Sequence, residues 1–296
     1  MRIGIDIGGY KINGVLIKKN RIIEKRKLLI PSKSNKKIII TQIFDCIEYL
    51  IKKSNKSKIK GIGIGVPGIV DFEKQKILNL PNIPAIKNLF LAKIISKRFG
   101  IKTRIDNDSN CFGLAEAILG TGKYSNLLVG LTLGTGIGGA IIINKKIFHG
   151  ASGSGAEFGH MKIEKDGWRC SCGEKGCLEA YVSGKGIMRI AKSIGCRGAT
   201  PTEIEKMAKK GNKKAIKVYE IAGEYLGIGL ANIVNILNPK IIVIGGGIAN
   251  AGELIFKSAR EVMRKNVFSH LAKRTKIVGA KLGRDAGAVG AALLIK

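Results

Sequence analysis

The sequence predicts an α/β protein made of two similar halves. Short apolar runs, typical of buried strands, alternate with segments of helical periodicity over all 296 residues, and no low-complexity linker interrupts them. The chain opens with a strand, a glycine turn and a second strand, and residues 127–143 repeat that pattern, which indicates an internal duplication. The length is sufficient for two domains. We expect the two halves to face each other across a cleft.

The individual elements follow from local composition. Runs of β-branched and other apolar residues predict the strands, and apolar spacing of three to four residues predicts the helices. The predicted strands cover 3–7, 14–17, 22–29, 59–66, 101–105, 127–133, 140–143 and 241–244. The predicted helices cover 38–51, 91–99 with its end at Gly100, and a segment that begins near residue 251.

The strong positive charge of the chain points first to a nucleic-acid partner. The formal net charge is +31, from 52 Lys and Arg residues against 21 Asp and Glu residues. The lysines are spread over most of the predicted helices and loops, aromatic residues make up only 5% of the chain, and no groove-reading motif is present. The charge therefore favours a solvated basic surface and predicts no specific nucleic-acid partner.

The start of the chain and its cysteines predict a cytoplasmic protein. Asp6 falls where a signal peptide would need an apolar run. Three of the six cysteines are clustered and the others lie in apolar or helical contexts, as expected in a reducing compartment. Residues 127–143 are uncharged, but their glycines and threonines divide them into strand, turn and strand, so no membrane-spanning helix is expected.

Three glycine turns are candidates for binding a nucleotide. Glycine lets a phosphate approach the backbone and exposes N–H donors, although a tight hairpin explains each turn equally well when it is taken alone. The first two turns together, with an acid that can hold hydrated Mg²⁺, favour an ATP site; the third suits a base or ribose. The candidate residues are Asp6, Gly8, Gly9, Lys11, Gly134, Thr135, Gly136, Gly246 and Gly247.

A polar run at 106–110 follows a predicted strand. Asp, Asn and Ser all cap helices, so the run can be an N-cap, but one cap does not need five polar residues. A carboxylate such as Asp108 can also accept the proton of a sugar hydroxyl that attacks the γ-phosphate of ATP.

Four soft ligands lie close together in the second half of the chain. His160, Cys170, Cys172 and Cys177 form the nitrogen and sulfur set that tetrahedral Zn²⁺ prefers, and four protein ligands make a closed, structural site. The thiols lie in a polar stretch that contains glycines, which disfavours a packed apolar face. Two nearby acids, Glu157 and Glu179, remain for a polar ligand. His149 and His270 have no thiol neighbours, so we expect surface or loop positions for them.

In order and spacing, these motifs resemble the ROK family (repressors, open reading frames, kinases), in its glucokinase or hexose kinase branch. The resemblance spans nearly the whole chain. The matching motifs are Asp6-Ile-Gly-Gly, Gly61-Ile-Gly-Ile-Gly-Val-Pro67-Gly68, Asn107-Asp108-Ser-Asn110, Gly134-Thr-Gly-Ile-Gly-Gly139, Glu157-Phe-Gly-His160, Cys170-Ser-Cys172-Gly-Glu-Lys-Gly-Cys177-Leu-Glu179-Ala and Gly245-Gly-Gly247.

The resemblance implies an actin-like ATPase (RNase H-like) fold, with two α/β domains that flank a cleft, a zinc loop, and ATP and a hexose meeting in the cleft. Asp108 would be the general base on the C6 hydroxyl. The remaining hydroxyls would bind Asn107, Glu157, His160 and Glu179, with the other nitrogen of His160 on zinc. The implied domains are 1–113 with the returning segment 284–296, and 114–283.

Glucose is the favoured substrate implied by the resemblance, with glucose 6-phosphate as the product. Kinases for mannose, fructose, N-acetylmannosamine or N-acetylglucosamine share most of the motifs and remain alternatives, as does a noncatalytic sugar-sensing regulator. The family's repressors carry a helix-turn-helix before the first glycine motif, which here begins at the first methionine, so we expect no such domain. A homodimer or homotetramer is expected.

Three positions depart from the family's usual pattern. Tyr10 replaces a threonine whose hydroxyl lies near the phosphates, Ala156 replaces a glycine before Glu157, and Ala85-Ile86 replaces Gly-Trp. None of these changes removes an acid, a base or a predicted metal ligand, although Tyr10 leaves the range of phosphoryl donors open.

Overall fold

The structure is a computed structural model that describes residues 1–31, 34–54 and 58–296. The strands are β1 (Arg2–Ile7), β2 (Lys11–Lys18), β3 (Arg21–Leu29), β4 (Gly61–Val66), β5 (Ile69–Asp71), β6 (Lys76–Asn79), β7 (Lys87–Leu89), β8 (Thr103–Asn107), β9 (Leu127–Leu133), β10 (Ile137–Ile143), β11 (Lys146–Ile147), β12 (Ile241–Gly245) and β13 (Lys276–Gly279). The helices are α1 (Lys36–Lys53), α2 (Leu91–Phe99), α3 (Asp108–Ile118), α4 (Glu179–Val182), α5 (Gly184–Ser193), α6 (Pro201–Lys209), α7 (Lys213–Leu237), α8 (Glu253–Asn266) and α9 (Ala286–Leu293). The predicted α/β class is confirmed.

The predicted elements are present, with some shifts at their ends. The strand predicted over 101–105 is β8, which begins and ends two residues later and so carries Asn107 at its last position. The helix expected from about residue 251 is α8, which starts at Glu253 after a short 3-10 turn. Strands β5, β6, β7, β11 and β13 and helices α4 to α7 were not predicted. The first three of these strands form a small antiparallel sheet of their own.

The chain divides into two compact units. The first contains residues 1–124, 140–155 and 281–296, and the second contains 125–139 and 156–280. The domain boundaries at 113/114 and 283/284 remain a prediction.

The first unit is built on a five-stranded sheet with the order β3-β2-β1-β4-β8. β1 pairs antiparallel with β2, and β2 with β3, while β1, β4 and β8 run parallel to one another. Parallel strands present their carboxyl ends at the same edge of a sheet, which is where α/β proteins bind ligands. The residues that end β1, β4 and β8 therefore lie side by side.

Helices α1 and α9 pack on this sheet, and glycines in the strands make room for them. A Cβ atom on Gly14 of β2 would lie 2.5 Å from the Sγ atom of Cys46 in α1. Gly4 of β1 and Gly63 of β4 are register partners, and Cβ atoms there would lie 1.9 Å and 1.7 Å from backbone carbonyl oxygens of α9. The last helix of the chain therefore packs directly on the two central strands of the first unit.

In the second unit, β12 pairs in parallel with both β9 and β13. The longest helix, α7, lies against α8, because Cβ atoms on its Gly223 and Gly227 would lie only 2.5 Å and 2.7 Å from the carbonyl oxygens of Ile255 and Ala259. Among the described residues, no helix combines the length and the apolar character that crossing a membrane requires.

The contact between α9 and β4 predicts a large effect for one methyl group. Gly63→Ala should lower the free energy of unfolding by about 2–3 kcal/mol, because the new Cβ atom would overlap the carbonyl oxygen of Ala291 and force the helix away. Gly279→Ala is the matched control, since its Cβ atom would meet nothing closer than 3.9 Å. Denaturant titration measures both variants, and equal stability of the two would contradict the packing described here.

Candidate active site and metal centre

Three aspartates, Asp6, Asp106 and Asp108, lie where the parallel strands of the first unit end. In the sheet register Asp6 pairs with Gly65, and Gly65 pairs with Asp106, so the two acids flank a glycine in one row. Asp108 follows two residues later as the first residue of α3. A Cβ atom on Gly65 would lie 3.3 Å from the Sγ atom of Cys111 and 3.5 Å from the Cα atom of Asp108, so the start of α3 packs against the sheet at this glycine.

Asn107 caps α3 and fixes its first turn. Its Oδ1 atom accepts hydrogen bonds from the N–H groups of Ser109 (2.8 Å) and Asn110 (3.3 Å), and its Nδ2 atom donates to the carbonyl of Gly68 (3.1 Å). The cap anticipated from the polar run is therefore present, and Asn107 provides it. The carboxylate of Asp108 accepts from the N–H group of Ser109 (2.8 Å).

Asp6 and Asp108 are hard to ionise at this edge. Burial raises the pKa of Asp108 to about 7, and the nearby negative charge of Asp6 adds to the shift. Burial also raises the pKa of Asp6 to about 6, against the opposing effect of the Lys11 charge and a hydrogen bond from Asn13. Asp108 therefore changes charge near neutral pH, the range in which a carboxylate is an effective general base.

In the first glycine turn, neither the backbone conformation nor the available space requires glycine. Gly8 donates to the carbonyl of Lys11 (2.8 Å), and neither Gly8 nor Gly9 has a positive φ angle, so the turn conformation does not itself require glycine. A Cβ atom at either position would meet no described atom closer than 3.4 Å. Tyr10, which departs from the family pattern, has a side chain that is 81% exposed.

The second glycine turn, in the second unit, is built around Glu179. The Oε2 atom of Glu179 accepts from the N–H group of Ile137 (2.9 Å), and a Cβ atom on Gly136 would lie 2.5 Å from the same oxygen. Gly134 donates to the carbonyl of Gly136 (2.9 Å) and accepts from the N–H group of Gly184 (2.8 Å). Thr135 lies at the tip of this turn.

In the third glycine cluster, Gly246 and Gly247 differ in backbone conformation and in the space around them. Gly246 has a φ angle of +91°, and a Cβ atom there would lie 2.2 Å from the carbonyl oxygen of Leu133, so the backbone requires glycine at this position. A Cβ atom on Gly247 would meet nothing within 4 Å. Of the two predicted nucleotide contacts, Gly246 already has a structural reason to be glycine, while Gly247 is open to a ligand.

The structure brings the four predicted metal ligands together. One ligand atom from each of His160, Cys170, Cys172 and Cys177 lies within 4.8 Å of all the others. The Sγ atoms of Cys172 and Cys177 are 3.8 Å apart, and the Nδ1 atom of His160 is 3.9 Å from the Sγ atom of Cys170. A zinc tetrahedron with Zn–S bonds of about 2.3 Å has S–S edges of about 3.8 Å. The donor set and its spacing therefore fit Zn²⁺.

Two glycines shape the loop that carries the thiols. Gly173 and Gly176 have φ angles of +96° and +72°, and a Cβ atom on Gly176 would lie 1.6 Å from the carbonyl oxygen of Glu164. Cys170 donates its N–H to the carbonyl of Glu174 (2.7 Å). These turns bring three thiols that are close in sequence to one point.

Glu179 joins this loop to the second glycine turn. Its Oε1 atom accepts a hydrogen bond from the hydroxyl of Ser171 (2.5 Å) and lies 3.6 Å from the Sγ atom of Cys170, while Oε2 holds the N–H group of Ile137. A single carboxylate is therefore oriented from the metal side and from the glycine side at once.

Glu157 lies at the entrance to the short 3-10 turn that carries His160. The side chain of Glu157 is exposed, whereas the preceding Ala156 has a φ angle of +67°, in the left-handed region that favours glycine. The family's usual glycine suits this position. Gly139 lies against it, since a Cβ atom there would be 2.0 Å from the carbonyl oxygen of Ala156.

The sequence did not predict that His149 lies beside Asp106. His149 does lie in a loop, as expected, but its Nε2 atom is 2.8 Å from the Oδ2 atom of Asp106 and its side chain is only 19% exposed. The two residues are 43 positions apart, and no local pattern links them.

The metal cluster predicts a stability that depends on zinc. Structural zinc sites contribute about 10 kcal/mol or more of apparent binding free energy, so removing the metal with a chelator should lower Tm markedly. Cys172→Ser should have a lower Tm from the outset and show no further chelator effect. Cys196→Ser, which changes a thiol outside the cluster, should keep the full chelator response. Unchanged Tm after metal loss verified by elemental analysis would contradict a structural zinc site.

Comparison with known proteins gives the same family along the whole chain. The ROK family profile matches residues 2–296. Glucokinase from Thermotoga maritima is 33% identical over 99% of this chain and 96% of its own length. The xylose repressor of Caldicellulosiruptor bescii is 34% identical over 99% of this chain and 77% of its own length. N-acetyl-D-glucosamine kinase from Photobacterium profundum is 34% identical over 99% of both chains.

Solved structures agree with this assignment. A ROK family glucokinase from Streptomyces griseus, in complex with glucose and AMPPNP, superposes with a TM-score of 0.84 at 29% identity, covering 99% of this chain and 98% of the other. The two-unit α/β chain has the actin-like ATPase fold predicted from the motifs. Because the profile and the relatives extend over nearly every residue, the chain belongs to the ROK family.

Proposed function

We propose that the protein transfers the γ-phosphate of ATP to the C6 hydroxyl of a hexose, with glucose as the favoured substrate. The observation that carries this proposal is Asp108, a carboxyl at the start of α3 whose pKa is raised to about 7 beside Asp6. The glucokinase of Thermotoga maritima and the glucose and AMPPNP complex of the Streptomyces griseus enzyme support the choice of reaction.

In the proposed reaction Asp108 is the general base. The sugar hydroxyl attacks the γ-phosphorus and passes its proton to the Asp108 carboxylate, a new P–O bond forms to the sugar, and the bond to ADP breaks. Positioned proton transfer of this kind contributes about 100- to 10,000-fold in rate. The cap by Asn107 and the bond from Ser109 hold the carboxyl in one place on the rigid first turn of α3.

The phosphates are assigned to the two glycine turns. Gly8 and Gly9 would lie against the phosphates, with the N–H group of Gly9 as a donor and Lys11 as a positive charge, and Gly134, Thr135 and Gly136 would bind them through the N–H groups that the turn itself does not use. Asp6 would hold hydrated Mg²⁺, which prefers oxygen ligands and neutralises phosphate charge when bound. Gly246 and Gly247 are assigned to the nucleoside. The open surroundings of Gly247 support this assignment.

The sugar hydroxyls are assigned to Asn107, Glu157, His160 and Glu179. Asn107 has a second Nδ2 hydrogen besides the one donated to Gly68, and it can donate that hydrogen to a hydroxyl. His160 directs Nδ1 toward the cysteines, which leaves Nε2 for the sugar. Glu179 is already oriented by two donors, and each carboxylate oxygen has a further lone pair for a sugar hydroxyl. Zinc, when bound, would fix the orientation of His160.

Two other possibilities rest on particular relatives. The N-acetyl-D-glucosamine kinase of Photobacterium profundum is as similar to the chain as the glucokinases are, so an N-acetylhexosamine remains an alternative to glucose, as do mannose and fructose. A noncatalytic sugar-sensing regulator is the second alternative, suggested by the xylose repressor. We also infer a homodimer or homotetramer and a cytoplasmic location; both are predictions from the sequence.

Measuring turnover on a panel of sugars tests the proposal directly. ADP release with Mg-ATP should occur on one or a few of the sugars glucose, mannose, fructose, N-acetylglucosamine and N-acetylmannosamine. Asp108→Ala should lower kcat by at least about 100-fold, because the base is lost, and should leave the Kd for the sugar within a few-fold. Sugar binding without turnover by the wild-type protein would favour the regulator, and near-normal turnover by Asp108→Ala would refute the base assignment.

The raised pKa of Asp108 predicts the pH dependence of the reaction. A general base works only when deprotonated, so kcat/KM for the sugar should rise with pH and reach a plateau above an apparent pKa of about 7. Measurement of initial rates from pH 5 to pH 9 checks this. A flat profile across that range, as a carboxylate with an ordinary pKa near 4 would give, would contradict the assignment.

A further inference from the structure

We propose that His149 is a positioning residue for phosphoryl transfer: through Asp106, it holds the first turn of α3 in the orientation in which Asp108 accepts the proton. The Nε2 atom of His149 lies 2.8 Å from the Oδ2 atom of Asp106, and the two side chains are only 19% and 7% exposed. The inference rests on the proposed kinase function, in which Asp108 is the base.

Asp106 connects His149 to residues on both sides of the base in the chain. Its Oδ1 atom accepts hydrogen bonds from the backbone N–H group of Asn107 (2.8 Å) and from the Nδ2 atom of Asn110 (2.9 Å), while Oδ2 meets His149. Asn107 precedes Asp108 in the chain, and Asn110 lies on the first turn of α3. A rotation of the Asp106 carboxylate would therefore release contacts on both sides of Asp108.

The ring of His149 is held from a second direction by Phe72. The two rings stack with centroids 4.2 Å apart and an angle of 4° between their planes. Phe72 accepts a hydrogen bond at its carbonyl from the Nε2 atom of Gln75, and the Oε1 atom of Gln75 accepts from the N–H group of Ile105 in β8 (2.8 Å). The stacking partner is thus attached to the same strand that ends next to Asp108.

The loop that carries His149 is also held by a hydrogen bond within the loop and by close packing against Val70 and Phe72. Gly155 donates to the carbonyl of His149 (2.9 Å). Gly153 has a φ angle of +87°, and a Cβ atom there would lie 3.0 Å from the carbonyl oxygen of Val70 and 3.1 Å from the ring of Phe72. His149 therefore reaches Asp106 from a constrained loop and a stacked ring, and its hydrogen bond has little freedom to shift.

Loss of the His149 hydrogen bond should slow phosphoryl transfer, because a catalytic base must be precisely placed. A displacement of about 1 Å in a catalytic group can cost about 100-fold in rate, even when its cause lies outside the reacting atoms. Loss of the His149 bond would leave the Asp106 carboxylate without one of its three partners, and the first turn of α3 would be less firmly held. Three of the four residues assigned to the sugar, Glu157, His160 and Glu179, lie outside this hydrogen-bond network, so the effect should fall more on kcat than on KM.

The experiment compares two replacements of His149. His149→Phe keeps a flat ring to stack on Phe72 but removes the hydrogen bond, whereas His149→Gln keeps an N–H donor at about the reach of Nε2. We expect kcat to fall about 10- to 100-fold in His149→Phe with the sugar KM changed less than about threefold, and to recover most of its value in His149→Gln. His270→Phe, at an exposed histidine, is the control and should match the wild type.

Two further measurements separate positioning from general stability. The amide hydrogens of Asn107, Ser109 and Asn110 should exchange faster in His149→Phe while Tm changes little. Combining His149→Phe with Asp106→Asn should lower kcat no further than the larger single effect, because both changes break one connection. If His149→Phe does not fold, His149→Asn replaces it, since the shorter amide cannot reach the Nε2 position.

The outcomes distinguish this inference from the proposed function. Wild-type kcat in His149→Phe, or an equal loss in His149→Phe and His149→Gln, would overturn the positioning role. If the wild-type protein phosphorylates no sugar, the kinase proposal fails, and the exchange measurement still decides the structural part: unchanged exchange at the start of α3 in His149→Phe would overturn the inference by itself.

Discussion

The burial of Asp108 beside Asp6 is the constraint on which the proposed chemistry depends. Three parallel strands end at one edge of the first sheet, and α3 starts against the glycine that lies between two acids there. A carboxyl in such a place ionises only near neutral pH, since burial and the neighbouring charge both oppose ionisation. The same packing that makes the group costly to ionise makes it a base of useful strength. The rest of the first unit, from the cap by Asn107 to the helix α9 on β1 and β4, keeps that geometry fixed.

Glu179 has a comparable role in the second unit. One of its oxygens holds the glycine turn at Ile137, and the other accepts from Ser171 in the loop that carries the thiols. A metal at His160 and the cysteines would therefore stabilise more than its own loop, because the same loop orients a carboxylate assigned to the sugar. This connection gives a physical reason for a structural metal in a sugar kinase: folding of a short, glycine-containing loop becomes coupled to the shape of a polar binding surface.

Features encoded by neighbouring residues were predictable from the sequence. The metal ligands lie within 18 positions of one another, and the strand and glycine patterns are local, so the α/β class and the clustering of the four ligands needed no tertiary information. The β5 to β7 sheet was missed because strands of three or four residues carry little periodicity. The contact between His149 and Asp106 was missed because it depends on how a loop folds back across the unit. The sequence also could not distinguish Gly246 from Gly247. The positive φ angle at Gly246 and the nearby carbonyl oxygen of Leu133 require glycine there, whereas a Cβ atom on Gly247 would meet nothing within 4 Å.

The central claim, that Asp108 is a base poised near neutral pH, can be tested without any assay of turnover. Carbon-13 NMR of the aspartate carboxyl groups over a pH titration, with Asp108→Asn to assign the resonance, gives the pKa of this group directly. The account predicts a value of about 7. A value near 4, typical of a solvated carboxyl, would contradict it, because Asp108 would then be an ordinary exposed acid and the geometry at the end of β8 would no longer explain its role.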